Sequence, residues 1–318
     1  METKKAVNGF LNLYKEPGPT SMDAVRQVKR LSGQRKRVGH GGTLDPIAEG
    51  VLPICFGQAT RLMDYVTCSA RSYRMDVRLG AATTTYDREG EVVRTADPSH
   101  IDREAVEAAL EPFRGEFQQI PPMYSALKVG GKRLYDLARS GIEVERKPRT
   151  VIISRIEIVE VNLPSLVIDV DCGRGAYMRS LAHDLGEALG CGAYLEGLVR
   201  LRSGPFLVEG AVRLETLLDA AGENGWASHL EPPDFVLLHM KSVTVGEAAE
   251  RYLRNGHPVK LPPHLSAYAG YMERYRAYSE DGRFLAVVRY ERSRNEWQPN
   301  KVFTVHTPSP YAGTPARE

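Results

Sequence analysis

Two segments of this chain alternate apolar and polar residues with period two, yet no regular strand–helix–strand repeat joins them. Tyr73, Met75, Val77 and Leu79 alternate with Arg74, Asp76 and Arg78, the pattern of a strand with one buried face. Leu166, Ile168, Val170 and Cys172 repeat it and stop at Gly173-Arg174-Gly175. Helical spacing follows at once, through Met178, Leu181, Ala182, Leu185, Ala188 and Leu189, until Gly190 ends the run. An earlier helix over Ser21 to Leu31 carries an apolar stripe of Met22, Val25, Val28 and Leu31, backed by a basic face of Arg26, Lys29 and Arg30. Strands and helices in this irregular order argue against a doubly wound sheet and predict an α+β fold with a mixed sheet.

With 318 residues, the chain has room for one large domain and a smaller one. Gly, Asn and paired prolines over 220–234 mark the expected boundary. Beyond it, Val245 to Arg254 predicts a short helix, while Tyr275–Ser279 and Arg283–Tyr290 flank the turn signal Glu280-Asp281-Gly282. The expected organisation is a main domain over 8–220, a small β-rich domain over 240–306, and a disordered tail over 307–318, rich in Pro, Gly and Thr.

Charge does not announce a partner, since 42 Lys and Arg face 40 Asp and Glu; only local clustering can do so. Cys55, Cys68, Cys172 and Cys191 form no C-x-x-C pair, and the eight histidines show no H-E-x-x-H spacing. No metal site is expected, and with no G-x-G-x-x-G or Walker loop, no nucleotide cofactor either. The N-terminus does not read as a signal peptide, and no apolar run approaches membrane-spanning length. A cytoplasmic, monomeric protein with reduced thiols is the expectation.

The densest unusual segment is RKRVGHGGTLDPIAEG, residues 35–50. From these residues alone two readings of Asp45 stay open. It can cap a helix running from Ile47 to Met63, with Pro46 opening it; or it can be a pre-positioned carboxylate facing RNA phosphates drawn in by Arg35, Lys36 and Arg37. Arg179 bears on the choice. It lies in the first turn of the helix after Gly175, where the helix dipole disfavours a cation, so a neighbouring anion is expected. An arginine-paired carboxylate is held in its charged form, as a nucleophile requires, whereas a solvated arginine would need no partner. Residues 117–149 add seven Lys or Arg against three acids, with Tyr124, Tyr135 and the Gly130-Gly131 turn. That composition suits either a solvated charged hairpin or an element that stacks bases and meets phosphates.

Read in order, GHGGTLDPIAEGVLPICFGQATR, RSYRMDVRLGAATTTYDREG, IPPMYSALKVGGKRLYDLAR and CGRGAYMRSLAHDLGEALGCGAYLEGLVRLRSGPF resemble the TruB family of tRNA pseudouridine-55 synthases. The likeness covers roughly the first two thirds of the chain. More weakly, KSVTVGEAAERYLRNGHPV and WQPNKVF resemble a PUA domain. The resemblance implies the pseudouridine synthase fold, a mainly antiparallel sheet flanked by helices, with a small PUA-like domain and an RNA-gripping insertion about 117–149. It implies cofactor-free isomerisation of a flipped-out uridine in the tRNA T loop, with the acceptor arm meeting the C-terminal domain. Asp45 matches the catalytic aspartate and Arg179 its partner. Tyr73 matches the tyrosine that stacks on the target base. Tyr177 and Leu198 match residues lining the uracil pocket, Asp87 a carboxylate that helps fix the site, and His40 the histidine that fills the gap left by the flipped base.

One departure stands out. The family's Lys-Pro-x-Gly-x-Thr-Ser becomes Lys15-Glu16-Pro17-Gly18-Pro19-Thr20-Ser21, so Lys15 stays off the list of expected catalytic residues. Two other functions fit the same surfaces: a tRNA-binding or tRNA-folding protein without catalysis, and an RNA-guided pseudouridine synthase of a ribonucleoprotein. Asp45, Tyr73 and Arg179 occurring together argue against the first, and the insertion over 117–149 resembles that of the stand-alone type.

Overall fold

In the computed structural model, which describes residues 7–219, 225–267, 269–270 and 272–317, one large mixed sheet dominates. Its strands along the chain are β1 (Gly9–Lys15), β2 (Val38–His40), β3 (Ala48–Phe56), β4 (Arg71–Leu79), β5 (Gly115–Gln119), β6 (Arg149–Asn162), β7 (Ser165–Cys172), β8 (Ala193–Ser203), β9 (Val212–Arg213) and β10 (Leu230–Glu231). The order across the sheet is β9-β1-β3-β8-β4-β7-β6-β5, with β2 added on β3, β10 on β1 and the two-residue strand Phe206–Leu207 on β8. Only the β9–β1 and β3–β8 contacts on this path are parallel. The α+β fold with a mainly antiparallel sheet is the one expected.

Both alternating segments are central strands. Tyr73, Met75 and Val77 of β4 lie opposite Val170, Ile168 and Leu166 of β7, all on the buried face. The helices α1 (Ser21–Ser32), α2 (Arg103–Leu110) and α3 (Met178–Ala188) flank the sheet. A Thr20–Asp23 capping box starts α1 and a left-handed Gly33 ends it. Val25 and Val28 fill its buried stripe, but Met22 is exposed. On α3, Met178, Leu181, Ala182 and Leu185 are buried. A Cβ on Gly186 would lie 2.0 Å from the Ala193 nitrogen, so glycine there lets α3 sit directly on the chain entering β8.

Where one reading of Asp45 put a helix over Ile47–Met63, residues 48–56 form strand β3, and only Gly57–Leu62, a 3-10 turn, and Met63 are helical. Val51, Leu52, Ile54, Cys55 and Phe56 are all fully buried, and a continuous apolar run does not distinguish a buried strand from a helix by periodicity. Pro53 inside the run already disfavoured a helix interior.

A second, four-stranded sheet orders β11 (Ser242–Val245), β12 (Arg274–Ser279), β13 (Phe284–Glu291) and β14 (Glu296–Val302) in sequence, and α4 (Glu247–Arg254) packs on it. The hairpin turns at Gly282, φ 82°. Phe10, Val51, Cys55 and Phe206 of the large sheet share one apolar cluster with Tyr278, Phe284 and Val287 of the small one and with Phe303 directly after its last strand. Gln58 and Thr304 clasp the seam with hydrogen bonds of 2.8 and 2.9 Å.

Two expectations change here. Residues 220–224 of the expected boundary lie outside the described residues, but 225–238 are no linker. Trp226 packs on Phe56 at 5.2 Å, β10 pairs with β1, and buried Asp234 accepts hydrogen bonds from Tyr278 and Ser309. Nor is 307–317 a disordered tail. Arg276, wholly buried, donates to the Thr314 carbonyl at 2.8 Å, and the Arg317 amide donates to Leu238. Low-complexity composition hides these anchors, because one buried arginine and one buried aspartate hold the segment from afar. The insertion likewise begins inside the sheet: β5 holds Gly115–Gln119, and the basic hairpin Lys128–Val129/Lys132–Arg133 follows.

Candidate active site

Loop 41–47, which carries Asp45, is fastened from several sides by backbone contacts. The Gly41 amide donates to the Pro53 carbonyl at 2.7 Å. Ser21 Oγ donates to Leu44 O at 3.0 Å and accepts from the Leu44 amide at 2.8 Å. Arg200 is 1% exposed and donates to Val51 O (2.7 Å), Gly42 O (3.0 Å) and Thr43 O (3.4 Å). Gly50, φ 97°, lets β3 approach β8 so closely that a Cβ would lie 2.4 Å from the Arg200 carbonyl. Lys15 is 2% exposed and aims Nζ at Ala48 O (2.6 Å), Glu16 O (3.1 Å), Asp45 O and Pro46 O (both 3.3 Å). Burial lowers the Lys15 ammonium to about 8, with Asp45 opposing the fall.

These anchors leave the Asp45 side chain 41% exposed, with Oδ2 3.0 Å from Arg179 Nε. The Nε–H is not aligned with that oxygen, so the contact is an ion pair rather than a directed hydrogen bond. Arg179 itself is nearly sealed. Its Nη1 donates to Asp87 Oδ2 at 3.2 Å and to Thr85 O at 3.3 Å, and Nη2 donates to Tyr124 O at 2.8 Å. Asp87 is bound on its other oxygen too, Oδ1 accepting from Thr85 Oγ1 at 2.5 Å and from the Glu89 amide at 3.0 Å. Arg179 therefore bridges two carboxylates, one buried and one facing solvent.

The other expected residues fall around this bridge. Tyr73 is buried in β4 opposite Arg200, and their side chains interact; Arg200 thus touches both Tyr73 and the Asp45 loop. Leu198 is buried on β8 beside Ala48 of β3. Tyr177 stands immediately before α3, half-buried, and burial raises its phenol above the ordinary range, with Asp45 adding to the rise. His40 ends β2 at the mouth of the loop; burial, then Arg200, lowers its imidazole. The structure brings Asp45, Asp87 and Arg179 into direct contact, and ties Tyr73 to them through Arg200.

Three residues of this arrangement were not singled out from sequence as site residues. Lys15 was set aside because of the displaced proline, although Glu16 now pairs with Arg213 and leaves the lysine in place. Arg200 gave no signal beyond a charge inside the apolar strand LVRLR. Gln119 is 1% exposed and holds the Tyr177 backbone on both sides, donating to its carbonyl (3.1 Å) and accepting from its amide (2.8 Å). Among the described residues, no group of three or more His, Cys, Asp or Glu side chains is placed to hold a metal ion.

Residues 29–178 match the family model of the TruB family pseudouridylate synthase N-terminal domain, and 179–238 that of the tRNA pseudouridylate synthase B C-terminal domain. The chain is 43% identical over 297 residues to tRNA pseudouridine synthase B of Dehalococcoides mccartyi, covering 93% of this chain and 97% of that protein. It is 50% identical over 261 residues to tRNA pseudouridine synthase B of Symbiobacterium thermophilum, covering 81% and 85%. In fold it is similar, with TM-score 0.69 and 23% identity, to a chain in the structure of an H/ACA RNP bound to a substrate RNA containing 2'-deoxyuridine, covering 93% of this chain and 85% of that one.

Proposed function

The chain belongs to the TruB family of pseudouridine synthases, and from that premise we propose that it converts uridine 55 in the tRNA T loop to pseudouridine. The observation that carries this reading is the Arg179 bridge, which sets a solvent-facing Asp45 3.0 Å from a buried cation. The reaction breaks the C1′–N1 glycosidic bond, turns the uracil, and joins C1′ to C5, after which the C5 proton leaves and N1 gains one. Asp45 is the carboxylate that engages the base or sugar, and Arg179 keeps it in place. Tyr73 stacks on the target uracil, Tyr177 and Leu198 line its pocket, Asp87 holds Arg179, and the uncharged His40 ring fills the gap in the loop. No cofactor takes part.

The substrate is tRNA, bound by a monomer in the cytoplasm. The T stem-loop meets the Asp45 face and the basic hairpin at 128–133, and the acceptor arm meets the C-terminal, PUA-like sheet. A crevice at the seam of the two sheets, bordered by Tyr65, His239, Arg274 and Lys301 with Asp64 beside them, offers two cations against one carboxylate and an aromatic ring to that second contact. The relatives at 43% and 50% identity carry the name tRNA pseudouridine synthase B, which favours direct action on tRNA over an RNA-guided role.

The test is tritium release from C5-labelled uridine in an unmodified tRNA transcript, with purified protein and no added metal or nucleotide. Wild type should release tritium, and Asp45→Asn should bind the RNA without releasing any. A wild type that binds but releases none would overturn the stand-alone enzyme reading and leave the non-catalytic, tRNA-folding reading and the RNA-guided one.

A further inference from the structure

Tyr86 has a left-handed backbone, φ 65°, a conformation that a side chain with a β-carbon disfavours and that persists where its surroundings dictate it. Three contacts dictate it here. The Tyr86 amide donates to Thr83 O at 3.3 Å, its carbonyl accepts from the Leu195 amide at 2.9 Å, and its ring lies flat on the His183 imidazole. The ring centroids are 3.9 Å apart and the planes differ by 10°. Tyr86 directly precedes Asp87, and His183 follows Arg179 by one turn of α3. The stack therefore joins the two segments whose Asp87 and Arg179 side chains meet at 3.2 Å.

His183 is suited to this contact. Burial lowers its imidazole, Arg94 and Arg146 push the same way, and Glu187 opposes them. An uncharged ring offers a flat face to the phenol. Both rings are half-buried, so neither belongs to the apolar cluster that builds the sheet's core.

We propose that the Tyr86–His183 stack is a positioning device: it locks the 83–87 turn onto α3 and so fixes the Arg179 guanidinium between Asp87 and Asp45. This rests on the reading of Asp45 and Arg179 as the reacting site. The stack does not touch substrate; it acts through the arginine, and small displacements of a positioned group are costly to rate.

Glycine accepts φ 65° without strain, so Tyr86→Gly removes the ring and leaves the turn its preferred backbone. Single-turnover tritium release under saturating enzyme should slow about tenfold in Tyr86→Gly, with tRNA affinity within about twofold of wild type, whereas Tyr86→Phe should restore the wild-type rate. His183→Leu should repeat the Tyr86→Gly effect, and it carries the test if the glycine variant does not fold. Combining Tyr86→Gly with Asp87→Asn should slow the reaction by less than the product of the single effects, because both act through one guanidinium. Wild-type rate in both Tyr86→Gly and His183→Leu would overturn the proposal, as would multiplicative effects in the double variant or weakened tRNA binding at an unchanged rate. A wild type that releases no tritium would instead overturn the reading of the site.

Discussion

The loop bearing Asp45 and the turn bearing Asp87 face the same guanidinium and are built in opposite ways. Asp87 has a side chain 5% exposed and takes three hydrogen bonds, from Thr85, Glu89 and Arg179. Asp45 is held by its backbone, through Ala48, Lys15 and the neighbouring Leu44, while its carboxylate stands 41% exposed beside an unaligned Nε. A carboxylate shut off from solvent and bound on both oxygens can only orient its partner. One fixed by its main chain, with oxygens still open to solvent, can engage a substrate without losing its position. The contrast divides the labour between two residues of the same chemistry.

That division predicts opposite outcomes for activity and stability. Asp45→Asn should lower tritium release by at least about a thousandfold, yet shift the unfolding free energy by no more than about 0.5 kcal/mol, as for an exposed site. Arg179→Met should also abolish activity, and denaturant melts should show a loss of about 3–5 kcal/mol, because Asp87 is then buried without its cation. Asp87→Asn should cost about a hundredfold in kcat with little change in KM, and the protein should melt earlier. If Asp45→Asn were the destabilising variant and Asp87→Asn the neutral one, the assignment of roles would be reversed.

The backbone anchoring of the Asp45 loop can be probed through pH. Burial pushes the Lys15 ammonium down to about 8 in the folded chain, against about 10.4 for an unfolded lysine. Between those values the unfolded chain binds more protons, so stability rises with pH there. Relative to Lys15→Met, wild type should gain stability from pH 8 to pH 10, and show almost no relative change between pH 6 and pH 7, when melts are compared across that range. The smallest effect concerns the basic hairpin at 128–133: Lys132→Ala should reduce the slope of log affinity against log salt by about one, uniformly across tRNAs.

The strands β4 and β7 and the helix α3 were legible because each buries one face, and period two or 3.6 is written in adjacent residues. β3 was not, since both its faces are covered and its apolar run carries no period. The placement of 307–317 was hidden for a related reason: its hold depends on Arg276 and Asp234, which lie in other segments. Arg200 and Gln119 look like ordinary polar residues until the backbone groups they bind are brought beside them.

Local pattern and ordered motifs determined by themselves the α+β class, the family, and the identity of Asp45, Asp87, Arg179, Tyr73, Tyr177, Leu198 and His40 as the residues to examine. Tertiary structure alone decided that Asp45 and Asp87 share Arg179, that one is sealed and the other open, and that Lys15 and Arg200 fasten the loop between them. The reason is physical. Periodicity is set by neighbours along the chain, whereas burial and the meeting of distant charges are set by sheet order, here the juxtaposition of β3, β8 and β4.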